Sequence, residues 1–93
     1  MNVMRQPNYA KIQSLQREYN MVYNQTAQLQ SSMGYHQQLL ASIQAKLQMF
    51  PMDASLHQRL NSEMRQLNAL KNQIIRNNNR LANISAKLNS MPR

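Results

Sequence analysis

Few side chains in this sequence can do acid–base or metal chemistry. Glu18, Asp53 and Glu63 are the only acids, and His36 and His57 the only histidines. Cysteine is absent, which removes thiolate nucleophiles, disulfides and sulfur-rich metal sites. The three acids lie far apart in the chain, so none has a second carboxylate at local spacing to divide the roles of general acid and base. If the chain folds back on itself, both histidines fall within about 20 Å of helix length from the fold-back. Two imidazoles alone make a poor zinc site. Their simpler assignments are a packed residue with a satisfied nitrogen for His36, and a solvated side chain near a helix start for His57. Neither a glycine-rich phosphate loop nor a Ser/His/Asp arrangement is visible. The sequence therefore predicts no catalytic residue, metal, cofactor or small-molecule substrate.

What the chain does specify is a pair of helices. From Ile12 the apolar spacing alternates three and four residues: Ile12, Leu15, Tyr19, Val22, Thr26, Leu29, Met33, His36, Leu40, Ile43, Leu47 and Phe50. Only Thr26 and His36 depart from apolar or aromatic character. That is one narrow stripe along a helix, the seam of a coiled coil. Pro51 interrupts it, because proline lacks an N–H and disfavours helix in the residue before it. The repeat resumes at Leu56, Leu60, Glu63, Leu67, Leu70, Ile74, Asn77, Leu81, Ile84, Leu88 and Met91, and Pro92 stops it. Asp53 or Ser55 can cap the second helix, with Gln58 placed three after Ser55 as in a capping box.

The expectation is an all-α single domain over residues 1–93. It has a helix over about 8–50, a turn at 51–53 and a helix over about 54–90. A connection this short makes the helices antiparallel neighbours, a long helical hairpin. The alternative is a three-helix bundle broken near Ser31–Gly34, where two serines and the only glycine weaken the helix. The seam stays in register across Gly34, which favours the hairpin.

Composition narrows the function classes. The chain has 93 residues, a net charge of +8, and 25 glutamines and asparagines. Amide-rich tracts are often disordered, but here they overlie a regular apolar repeat, which favours helix. Residues 19–45 carry no Asp, Glu, Lys or Arg, yet they are too polar for a membrane span. Amides hydrogen-bond without the desolvation cost of ions, so this stretch suits a helix partly covered by other helices. The N-terminus, MNVMRQPNYAKIQ, lacks the apolar core of a signal peptide. The expected location is the cytoplasm or a macromolecular assembly.

Off the seam, Met21, Tyr23, Leu39, Met49, Met64 and Ile75 widen the apolar surface beyond the needs of a two-helix contact. They are the candidate partner-contact residues, and methionine suits adaptable interfaces. On the second helix Arg65, Arg76, Arg80 and Lys87 fall within about 60° of one another, a candidate stripe for polyanion contact. No aromatic residue follows Phe50, so no base-stacking platform accompanies them. The seam polar residues Thr26, His36, Glu63 and Asn77 either fix register or face solvent. Glu63 is expected to turn towards Arg59 or Arg65, or towards a cation of another chain.

The helix–turn–helix outline around MFPMD, residues 49–53, resembles needle subunits of type III secretion systems and some phage and viral structural subunits. The resemblance covers the outline only. The single proline at the turn and the strongly basic charge depart from needle subunits. On these grounds the expected role is a non-enzymatic structural or assembly subunit, whose partner is itself or a larger helical complex. The second reading is a basic nucleic-acid-binding or packaging protein.

Overall fold

Pro51 cuts a strongly helical sequence in two, and the computed structural model, which describes residues 5–91, shows how each part settles. Helix α1 is Arg5–Met49 and helix α2 is Ala54–Ser90. The two pair antiparallel as a helical hairpin. Among the described residues there is no third helix and no strand, so the three-helix alternative is not what forms. One glycine costs about 1 kcal/mol in a helix interior. Met33, His36 and Leu40 on either side of Gly34 are all part-buried, and that packing exceeds the loss. α1 also starts earlier than expected, at Arg5, with Pro7 in its first turn, where no intrahelical N–H bond is required.

The ends of the helices follow from local chemistry. Phe50 N–H still reaches the Lys46 carbonyl at 2.9 Å, closing the last turn of α1. Asp53 N–H then bonds the Phe50 carbonyl at 3.2 Å, which makes Phe50–Pro51–Met52–Asp53 a turn with proline at its second position. Among the described residues none takes a positive φ, consistent with a type I turn. Asp53 caps α2, its Oδ1 accepting from Leu56 N–H at 3.1 Å. Of the two capping residues open to the sequence, the turn therefore uses Asp53. At the far end Ser90 Oγ donates to the Lys87 carbonyl at 3.0 Å. Pro92, expected to stop α2, lies outside the described residues.

The chain divides into two compact units. The first joins Met1–Ala27 to Ile75–Arg93 and the second is Gln28–Ile74. In the first, Val22, Thr26 and Ile84 are buried, and Ile12, Leu15, Tyr19, Leu81 and Leu88 are half-buried around them. Thr26 sits inside the seam because its hydroxyl donates to the Val22 carbonyl at 2.7 Å, which spares it an unpaired buried group. In the second unit Ile43 and Leu56 are buried, while Leu29, Met33, Leu40, Leu47, Leu60, Leu67, Leu70 and Ile74 are half-buried. Each seam residue has only one facing helix, so its flanks stay open to water. A thin core of this kind is what a two-helix contact yields.

One seam assignment is corrected. Phe50 is 58% exposed. It keeps the spacing of the repeat but lies beyond the last residue of α1, since Pro51 disfavours helical geometry just before it. The repeat predicts its face only while the helix continues.

Candidate functional site

The polar side chains of the second unit are settled by the fold itself. His36 Nδ1 lies 2.7 Å from Glu63 Oε2, linking α1 to α2 inside the seam. A carboxylate only accepts, so the ring donates from Nδ1. Tyr35 packs its ring edge-on to His36, with centroids 5.4 Å apart. Glu63 therefore corrects the expectation that it turns to Arg59, Arg65 or a cation of another chain. Helix register decided the matter by setting an imidazole opposite it, with less side-chain reach needed than for either arginine. His57 is exposed and its Nε2–H donates to the Pro51 carbonyl at 2.8 Å, tying the first turn of α2 to the loop.

The two histidines thus stand in different hydrogen bonds. Among the described residues no group of three or more His, Cys, Asp or Glu side chains converges on a metal position.

The apolar surface divides in the same way. Met49, Phe50 and Met52 are 73%, 58% and 92% exposed around the turn, an apolar tip on the second unit. Met64 on α2 is also exposed. Beside it, Met33, Gln37, Leu40, Leu67, Asn68, Arg65 and Lys71 line a groove between the helices, about 570 Å³ in volume. Leu39, expected among the partner-contact residues, is half-buried and lines a smaller recess with Ile43, Arg59, Ser62 and Glu63. It flanks the seam closely enough for α2 to cover part of it.

No protein-family model matches the chain, and no curated protein or solved structure matches it. The surfaces must speak from their own chemistry.

In the first unit Met21, Tyr23 and Ile75 are exposed, with Tyr23 stacked on Tyr19 at 6.4 Å. Single exposed apolar residues are ordinary on any protein. Among the cations, Arg76 and Lys87 are exposed without a carboxylate partner among the described residues, whereas Arg80 Nη2 donates to Glu18 Oε2 at 2.7 Å. One member of the stripe expected to meet a polyanion is thus held by the protein's own acid. Arg65 belongs to the second unit and borders the groove.

Tyr9, Tyr35 and Met52, all well exposed, are apolar surface that sequence reasoning missed. For the tyrosines the signal was present, since both fall outside the seam spacing. For Met52 it was the turn itself: a residue after Pro51 in a tight connection has nowhere to bury.

Proposed function

We propose that this chain is a non-enzymatic structural or assembly subunit, a helical hairpin that self-associates or docks onto helices of a larger complex. The observation that carries this reading is the apolar tip. Met49, Phe50 and Met52 come close together in sequence at the turn, with exposures of 73%, 58% and 92%, and no element of the described chain covers them. Methionine and aromatic side chains are enriched where proteins meet. An exposed apolar cluster costs solubility unless a partner covers it.

The test pairs wild type with Met49→Asp/Met52→Asp, two exposed positions of the tip whose change leaves the seam intact. Light scattering at low and high salt and chemical cross-linking in cells read the outcome. The proposal expects an oligomer or a discrete complex that survives high salt and is lost in the variant, with helicity by circular dichroism unchanged. A wild-type chain that is monomeric and shows the same cross-links as the variant overturns it.

A second reading, nucleic-acid binding, is favoured by the exposed cations Arg76 and Lys87. It predicts weak, sequence-indifferent binding of short duplexes or single strands that falls steeply with salt. The engagement of Arg80 by Glu18 reduces the charge available for it.

A further inference from the structure

The groove of the second unit has a distinctive charge arrangement. Met33 and Leu40 of α1 and Met64 and Leu67 of α2 form its apolar lining, and Arg65 and Lys71 stand at its edge. Neither cation has a carboxylate partner among the described residues. The protein has only three acids, and each is engaged within its own fold. Glu18 holds Arg80, Asp53 caps α2 and Glu63 bonds His36. Among the described residues a second copy of this chain therefore brings no unengaged Asp or Glu to the groove, and it brings an equal positive charge.

We infer that this groove docks an acidic amphipathic helix of a different protein. The inference rests on the docking role proposed above and names the chemistry of the partner. The groove's lining, apolar and polar together, runs from Met33 to Leu40 on one helix and from Met64 to Lys71 on the other, about 10 Å of helix length on each side. That is two turns, the span over which a docked helix presents apolar anchors at i, i+3 or i+4, and i+7. Methionine on both walls lets the groove adapt to anchors of different shape. Aspartate or glutamate flanking those anchors would meet Arg65 and Lys71, where an acidic side chain is attracted and a basic one repelled.

The test is a selection of short peptides from an unbiased display library against the full chain, followed by titration of synthetic winners. Expected winners carry net negative charge and leucine, isoleucine or phenylalanine at helical spacing. Arg65→Glu/Lys71→Glu should weaken them at least tenfold and Met64→Lys similarly. The charge-reversed variant should gain affinity for the same peptides remade with lysine for glutamate. Circular dichroism of both variants guards against unfolding, since all three positions are exposed.

Neutral or basic winners, no enrichment, or binding indifferent to Arg65→Glu/Lys71→Glu overturns the inference. So does a short DNA duplex that occupies the groove more tightly than every selected peptide. Light scattering reads the broader proposal separately. An assembly that survives in Arg65→Glu/Lys71→Glu but collapses in Met49→Asp/Met52→Asp leaves the assembly role standing and removes the groove's part in it.

Discussion

His36 and Glu63, 27 residues apart in the chain, meet at 2.7 Å across the seam of the hairpin. Their side chains are only 22% and 14% exposed. Removing one partner leaves the other desolvated and unpaired. His36→Leu alone, or Glu63→Leu alone, is expected to cost about 1–3 kcal/mol. His36→Leu/Glu63→Leu should cost less than the two single changes together, because apolar pairs often replace buried polar pairs without loss. Urea unfolding followed by circular dichroism measures all four corners of the cycle. Additive single effects would show that the contact contributes nothing to the fold.

Thr26 offers the opposite case. Its hydroxyl is buried, but the Val22 carbonyl it bonds also accepts a helical N–H. Thr26→Val leaves no acceptor orphaned and adds apolar burial. The expected result is a gain of about 0.8 kcal/mol, the value of one buried methylene. A loss of stability would mean that the hydroxyl bond itself holds the local geometry.

Gly34 lies in the middle of α1, and a Cβ built on it meets nothing within 4 Å. Its φ is helical, so alanine fits without strain. Gly34→Ala should raise stability by roughly 0.5–1 kcal/mol, read as a higher urea midpoint at unchanged slope. An unchanged or lower midpoint would show that the glycine fits this helix better than its open surroundings indicate.

At the turn, Asp53→Ala removes the side-chain N-cap of α2. The expected loss is about 1 kcal/mol, with Asp53→Asn retaining most of the stability. If Asp53→Ala is neutral, Ser55 has taken over as the cap.

The sequence carries the fold further than it carries the surfaces. Leucines and isoleucines at alternating spacings of three and four residues, broken by Pro51, already imply two paired helices. Phe50 escaped that logic because a repeat counts residues and does not register that the backbone has left the helix. The fate of Glu63 was hidden for another reason. Which residues face each other depends on how many residues the turn consumes and in what phase α2 begins, and neither is written in either helix alone. The same holds for Arg80, whose pairing with Glu18 joins residues 62 positions apart. Leu39 and Met64 looked alike as off-seam apolar residues, yet one is half-covered by the facing helix and the other is open.

Methionine is distributed over this molecule in a graded way. Met52 is 92% exposed, Met49 73%, Met64 53% and Met21 50%, while Met33 is half-buried. Thioethers oxidise to sulfoxides at rates that follow their access to peroxide. The protein thus carries its own set of chemical footprinting probes at the turn, along the groove and on the first unit. The thioethers that become slower to oxidise when a binding molecule is added will mark, residue by residue, where it sits.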